Sequence, residues 1–123
     1  MSDGEPATRV LNLDFLDETC GGDADFRREV LEEYLARAPE MLEAVHQAVN
    51  RADPKPVRDA VHSLKGASRT VGAEALGEVC EQLEEQAKNR DLSHSQKLVA
   101  LIDGEFRRLE AELRSLVAAA PQG

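Results

Sequence analysis

A histidine followed closely by two cations and a glycine is the feature of this sequence with the clearest chemical potential. His62 precedes Lys65, Gly66 and Arg69, and at about 3.6 residues per helical turn these four residues share one helix face. Neutral imidazole is a good nucleophile toward phosphorus near neutral pH, and lysine and arginine neutralise phosphoryl charge. The spacing therefore predicts a nucleophilic histidine suited to phosphoryl chemistry.

The glycine in this segment favours a binding surface over a purely structural helix. Gly66 costs a helix interior about 1 kcal/mol relative to alanine, whereas on an exposed face it leaves a bare patch of backbone that another protein can approach. Val57, Val61 and Leu64 fall on roughly the opposite face. We therefore expect His62 to point away from the core.

A short helix and a long one are predicted in the first part of the chain. The short helix should end at Gly21-Gly22, and its apolar residues are Leu11, Leu13, Phe15 and Leu16. Asp23 or Asp25 suits the N-cap of the long helix, which we expect to run for about 25 residues to near Asn50 with a kink at Pro39. Its apolar stripe comprises Phe26, Val30, Tyr34, Ala38, Leu42, Val45 and Val49.

Three further helices are predicted. The third has Asp53 as its cap and Pro54 at its first position, and it ends near Val71, just before Gly72. The fourth stops within residues 89–92, and Ser93 with Gln96 forms a capping-box pair for the fifth. The apolar stripes are Val57, Val61, Leu64, Ser68 and Val71, then Leu76, Val79, Cys80, Leu83 and Ala87, then Leu98, Leu101, Ile102, Phe106, Leu109, Leu113, Leu116 and Val117.

The short connections between these helices predict the architecture. Consecutive helices joined in this way lie antiparallel, so we expect an all-α fold, an antiparallel up-down-up-down four-helix bundle with a short additional N-terminal helix. We assign residues 9–117 to the bundle, residues 1–8 to a disordered lead and residues 118–123 to a frayed tail.

Composition excludes several classes of function. A formal net charge of -9 opposes binding to nucleic acid and to anionic membranes, because phosphate contacts need clustered cations. Neither a signal peptide nor an apolar run long enough to span a membrane is present. Cys20 and Cys80 have no metal or redox spacing, which indicates reduced thiols and a cytoplasmic protein. We predict no metal site.

The segment from His62 to Gly72 resembles the signature of histidine-containing phosphotransfer (Hpt) domains. In that family, His-x-Leu-Lys-Gly is followed by small residues, an apolar residue and a glycine. The resemblance covers residues 11–116 and departs from the family at Arg69-Thr70, where a small residue followed by Asn is common. Further matches are Gly21-Gly22-Asp23, Phe26, Tyr34, Ala38-Pro39-Glu40, Leu76, Cys80, Leu83 and Glu84.

This resemblance implies a function and a set of partners. His62 would accept a phosphoryl group on Nε2, with Lys65 and Gly66 beside it at the docking surface and Arg69 tuning which partner binds. The partners would be receiver domains of response regulators, with a hybrid histidine kinase as a further candidate. The receiver would supply Mg²⁺ and most catalytic groups, so the chain would need no cofactor and would be a phosphocarrier rather than an enzyme. Family resemblance and high charge favour a monomer.

Geometry adds two candidate residues on the fourth helix. The third and fourth helices should reverse near Gly72-Ala73, and His62 lies about ten residues before that turn, so Glu84 should lie level with it. Glu84 is placed to orient the imidazole by a hydrogen bond. Lys88, one turn further on, is placed to add positive charge, although Glu84 and Lys88 also have the spacing of an ordinary helix-stabilising pair.

Three alternatives stay open at this point. A helical adaptor would hold a partner on its acidic surface without phosphotransfer. The phosphoacceptor domain of a chemotaxis-type kinase shares the His-Ser-x-Lys-Gly pattern but would receive its phosphoryl group from an ATP-binding domain; a start at Met1 and an end just past the last helix favour a free-standing protein instead. A helical metalloprotein is disfavoured, because no two histidines lie four or five residues apart.

Overall fold

The protein is described here by a computed structural model that covers residues 9–119. Within that range it contains five helices and no strand: α1 (Leu13–Thr19), α2 (Ala24–Arg51), α3 (Pro54–Thr70), α4 (Glu74–Lys88) and α5 (Ser95–Ala119). Helices α2 to α5 pack in a ring, each against two neighbours, and their short connections make consecutive helices antiparallel. The predicted all-α four-helix bundle with a short additional N-terminal helix is confirmed.

The short helix α1 is fastened to the turn between α3 and α4. The backbone N–H of Asn12 donates to the carbonyl of Gly72 at 2.8 Å, and that of Ala75 donates to the carbonyl of Arg9 at 2.9 Å. Gly72 has a φ of +83°, which glycine adopts without steric cost. These contacts hold α1 against the end of the bundle where α3 stops and α4 begins.

The long helix α2 continues through Pro39, as predicted, and reaches 28 residues. Asp23 is its N-cap, and its side chain accepts hydrogen bonds from the backbone N–H groups of Asp25 and Phe26. The expected kink at Pro39 stays a prediction. At the start of α3, Pro54 occupies the first helical position as expected, but the Asp53 side chain makes no capping hydrogen bond.

The core is aliphatic, as the composition predicts, with one polar pair inside it. Tyr34 Oη and Ser68 Oγ lie 2.8 Å apart in the interior, which explains how a serine can occupy a position in the apolar stripe of α3. Burial is the main cause that raises the pKa of Tyr34 to about 12. The pair links α2 to α3 in the interior of the bundle.

Three local expectations were wrong. Helix α1 begins at Leu13, so Leu11 precedes it. Of the aromatic and leucine side chains assigned to the apolar faces, Leu13, Phe15 and Phe26 are 41%, 43% and 48% exposed. Helix α5 begins two residues after Ser93, because the Ser93 backbone and hydroxyl both donate to the carboxylate of Asp91. That local turn replaces the predicted capping box.

The two ends of the chain set the limits of this description. Helix α5 includes residues 118 and 119, which the sequence had assigned to a frayed tail. The predicted disordered lead, residues 1–8, and residues 120–123 lie outside the described residues. Among the described residues, none of the helices combines the length and the apolar character needed to cross a membrane.

Candidate functional site

Helix α3 presents His62 to the outside of the bundle. Its apolar stripe, Val57, Val61 and Leu64, is fully buried and fixes which face of the helix turns toward the core. The side chain of His62 is 67% exposed on the other side. The predicted outward orientation of the histidine is therefore confirmed, and it follows directly from the helical spacing of the buried valines and leucine.

A buried carboxylate on the adjacent helix holds the imidazole. Glu84 Oε2 lies 2.7 Å from His62 Nδ1, and only 5% of the Glu84 side chain is exposed. An ionised carboxylate can only accept a hydrogen bond, so the proton of a neutral His62 ring lies on Nδ1. That tautomer leaves the lone pair on Nε2, the ring nitrogen directed away from Glu84.

Lys65 completes a three-residue cluster around this carboxylate. Its Nζ lies 2.5 Å from Glu84 Oε1, and its side chain is only 16% exposed. This contact is an ion pair, since no described residue donates a well-aligned hydrogen bond to Glu84 Oε1. Most of the Lys65 side chain is buried, with its ammonium group turned toward Glu84, and its expected place at the docking surface stays a prediction.

The cluster keeps Glu84 ionised. Burial by itself raises the pKa of a carboxyl group, but the contacts with Lys65 and His62 outweigh burial and lower the pKa of Glu84 below its ordinary value of 4.5. With a neutral histidine, the charges of Glu84 and Lys65 cancel. The arrangement is thus an oriented imidazole resting on a balanced, largely buried ion pair.

The surface next to His62 is flat on one side. A Cβ atom added to Gly66 would meet no atom within 4 Å other than its own helix, so the glycine faces open space. The backbone of Gly66 is therefore uncovered one turn away from the exposed imidazole, as the sequence predicted. A partner can approach the ring there without displacing a side chain.

Arg69 lies on the same face of α3, but its guanidinium is directed to α4. Its Nη2 is 3.1 Å from Glu81 Oε2. A Cβ atom added to Gly77 would come within 2.9 Å of Arg69 Cγ and Nε, so the stem of the arginine passes over that glycine. The structure thus gives Arg69 a defined partner, Glu81, rather than a direct contact with His62.

Comparison with known protein families shows to which family this chain belongs. The family model for the Hpt domain matches residues 29–119, a range that contains His62, Lys65, Gly66 and Glu84. The chain belongs to the Hpt domain family. This membership confirms the family predicted from the sequence.

Individual relatives agree with this assignment. The chain is 28% identical over 97 residues to the phosphorelay intermediate protein rdeA of Dictyostelium discoideum. The aligned region covers 76% of this chain and 37% of rdeA. The chain therefore spans little more than a third of that relative. In fold it resembles histidine-containing phosphotransfer protein B (HptB) of Pseudomonas aeruginosa PAO1, with a TM-score of 0.84, 24% identity, and coverage of 91% of this chain and 97% of HptB.

A second solved structure has the same fold. It is the HPT domain of an Hpt sensor hybrid histidine kinase from Shewanella, with a TM-score of 0.75 and 22% identity over 89% of this chain and 94% of that domain. At these identities the likeness establishes the helical bundle. The roles of individual residues in this Hpt domain depend on the geometry described above.

Lys88, like Arg69, remains outside the cluster, and two contributors were missed by the sequence reasoning. Lys88, the last residue of α4, is exposed, and both Glu84 oxygens face His62 and Lys65 instead of Lys88. Glu81 and Gly77, which receive Arg69, were not singled out. The only signal for them is their position on α4, three and seven residues before Glu84.

The other histidines and the cysteines are not members of the cluster around Glu84. His46 Nε2 lies 2.7 Å from Asp103 Oδ1 and joins α2 to α5. Cys20 and Cys80 are both buried free thiols, and burial raises the pKa of Cys80 to about 12. Within residues 9–119 there is no group of three or more histidine, cysteine and acidic side chains placed to hold a metal ion.

Proposed function

We propose that His62 is the phosphoacceptor of this Hpt domain, receiving a phosphoryl group on Nε2 from the aspartyl phosphate of one receiver domain and passing it to another response regulator. The observation that carries the proposal is the hydrogen bond from His62 Nδ1 to Glu84 Oε2, at 2.7 Å. It orients an exposed imidazole with its nucleophilic nitrogen outward.

The cluster has a defined task at each step of this transfer. The Nε2 lone pair attacks phosphorus, a P–N bond forms, and the P–O bond to the receiver's aspartate breaks. The ring gains positive charge as the bond forms, and the Glu84 carboxylate stabilises that charge through the proton on Nδ1. Lys65 holds Glu84 in place and ionised.

The partner supplies the remainder of the catalytic apparatus in this proposal. The receiver domain would supply Mg²⁺ to neutralise charge on the phosphoryl oxygens, while the Hpt domain would contribute the nucleophile and the open surface at Gly66. The domain would act as a monomeric phosphocarrier in the cytoplasm, with receiver domains and a hybrid histidine kinase as its partners. Lys88, exposed one turn beyond Glu84, would add positive charge at the edge of the docking surface.

A transfer assay tests the proposal. The purified chain is incubated with a phosphorylated receiver domain and Mg²⁺, and the label on the chain is tested for the acid lability and base stability of phosphohistidine. We expect label on the wild type and none on His62→Gln. His94→Gln is the matched control, since His94 is exposed and lies in the turn before α5, and it should be labelled like the wild type.

The same assay separates the alternatives. Label that persists in His62→Gln would contradict the assignment of the phosphoacceptor. A chain that binds receivers equally well with and without His62, and never becomes labelled, would be an adaptor. Labelling by an ATP-binding kinase domain, but by none of a panel of receivers, would identify the chemotaxis-type alternative.

A further inference from the structure

The side chain of Arg69 runs along α4 toward the phosphotransfer cluster. Its stem passes over Gly77, where an added Cβ would lie only 2.9 Å from Arg69 Cγ, and its guanidinium reaches Glu81 at 3.1 Å. Gly77, Glu81 and Glu84 follow one another along α4. The guanidinium of Arg69 therefore lies at Glu81, the carboxylate three residues before the one that binds His62.

The spacing on α4 sets how far the guanidinium lies from the imidazole. Glu81 and Glu84 are three residues apart on α4, so their Cβ atoms are neighbours at about 5–6 Å on one face of the helix. Arg69 contacts the first carboxylate and His62 contacts the second. Because the two carboxylates are neighbours, a change of side-chain rotamer would turn the Arg69 guanidinium from Glu81 toward a group held on His62.

Phosphorylation would upset the charge balance at this point. The Glu84–Lys65 pair is neutral as a unit and largely buried, and both oxygens of Glu84 are engaged. A phosphoryl group brings a charge of about -1.5 to -2, which Lys65 cannot match while it also compensates Glu84. Arg69 is a further cation on this face of α3, and 45% of its side chain is exposed.

We propose that Arg69 exchanges its partner, leaving Glu81 and binding the phosphoryl oxygens when His62 is phosphorylated. The inference rests on the proposed function of His62. An exposed arginine–carboxylate pair contributes little stability, whereas guanidinium and phosphoryl groups match in shape and form strong charge-assisted hydrogen bonds. The exchange frees the Glu81 carboxylate, so the phosphorylated and unphosphorylated forms present different charges to a partner beside His62.

The test uses a small phosphoryl donor, so that no receiver is needed. Phosphoramidate transfers its phosphoryl group to Nε2 as its own P–N bond breaks and ammonia leaves. Phosphorus NMR then gives the pKa of the phosphoryl group on the full chain. Because a cation within about 4–6 Å lowers the pKa of an anion by about 1 unit or more, Arg69→Gln should raise the phosphoryl pKa by about 1 unit relative to the wild type.

Two further variants make the result specific. Glu81→Gln removes the competing partner and should lower the phosphoryl pKa, and this effect should largely disappear in the Arg69→Gln background. Arg114→Gln is the matched control, since Arg114 forms a similar exposed pair with Glu110 on α5 and should leave the phosphoryl pKa unchanged.

The outcomes distinguish this inference from the proposed function. A phosphorylated His62 whose pKa is the same in the wild type and in Arg69→Gln would overturn the exchange and leave the phosphoacceptor in place. A chain that phosphoramidate labels elsewhere, or not at all, would overturn both.

Discussion

Glu84 Oε2 accepts a hydrogen bond from His62 Nδ1 at 2.7 Å, across the contact between α3 and α4. The two residues differ sharply in environment, since the histidine side chain is 67% exposed and the glutamate side chain 5%. A buried carboxylate has few alternative positions, so it fixes the ring in one orientation and one tautomer. The exposed imidazole of His62 is thereby held by a residue that is itself fixed in the core.

Replacing this carboxylate should slow phosphotransfer without removing the histidine. In Glu84→Gln the side-chain amide can donate to Nδ1, which favours the tautomer with its proton on Nε2 and no lone pair there for attack. Partners that orient a functional imidazole typically contribute about tenfold to 100-fold to activity. We expect at least a tenfold fall in the rate at which a phosphorylated receiver labels the chain, measured by single-turnover transfer.

A stability control separates orientation from folding. Glu84→Gln also leaves the largely buried Lys65 without a counter-charge, which should lower the free energy of unfolding by about 1–3 kcal/mol. The double variant Glu84→Gln/Lys65→Met removes that unpaired charge and should recover much of the lost stability in urea denaturation. If the double variant also recovered wild-type transfer, the orienting role of Glu84 would be refuted.

The same carboxylate predicts how stability depends on pH. The pKa of Glu84 is lowered in the folded protein from its ordinary value of 4.5, so the folded state releases this proton more readily than the unfolded state. Its stabilising contribution is therefore complete above pH 4.5 and is lost as the pH falls through the lower folded value. The difference in free energy of unfolding between wild type and Glu84→Gln should be largest near neutrality and shrink in acid; a constant difference would contradict the assignment.

Much of this arrangement is predictable because helical periodicity fixes where each Cα–Cβ bond points. The buried stripe of α3 determines that His62 faces outward, and counting from the turn at Gly72 brings Glu84 level with it. Both deductions need only the helical repeat and a marked helix end. The hydrogen bond between these two residues was accordingly expected before the structure, while their functional roles remain proposals.

Long side chains limit what such counting can show. Arg69 shares a helix face with His62, yet its guanidinium binds Glu81, because several rotatable bonds let it reach either way along α4. Lys65 likewise turns inward and pairs with the buried Glu84. Glu81 gave no signal of its own, since an exposed glutamate is unremarkable in a chain with 24 acidic residues. The start of α5 was also predicted wrongly, because Ser93 bonds to the Asp91 carboxylate instead of capping the helix.

Gly66 offers a prediction in which stability and function move in opposite directions. An added methyl group would meet nothing within 4 Å, and alanine favours a helix interior over glycine by about 1 kcal/mol. Gly66→Ala should therefore raise the free energy of unfolding by up to that amount in urea denaturation. Transfer from a receiver should slow, because the methyl group holds the partner's backbone away, whereas labelling by phosphoramidate should be unchanged. Equal slowing of both reactions would mean that Gly66 acts on the histidine rather than on docking.

Gly72 should respond in the opposite way to the same substitution. Its φ of +83° is unfavourable for alanine, and a Cβ there would lie 2.7 Å from the carbonyl oxygen of Asn12. Backbone strain and the clash together should lower the free energy of unfolding by about 2–4 kcal/mol. Gly22→Ala is the matched control, because Gly22 has a φ of +75° but no atom within 4 Å of an added Cβ. If both variants lost equal stability, the contact with Asn12 would contribute nothing.

The buried pair of Tyr34 and Ser68 supports a prediction about how α3 is held against α2. Their hydroxyl oxygens lie 2.8 Å apart in the interior. Tyr34→Phe or Ser68→Ala leaves one hydroxyl without a partner, which should cost about 1–3 kcal/mol in each case. In the double variant no unpaired hydroxyl remains, so its loss of stability should be clearly smaller than the sum of the two single losses. Urea denaturation of the four proteins measures this coupling, and strictly additive losses would show that the two hydroxyls do not depend on each other. Because neither residue contacts His62, phosphoramidate should label all four folded proteins at the same rate, which distinguishes a contribution to the bundle from one to the site.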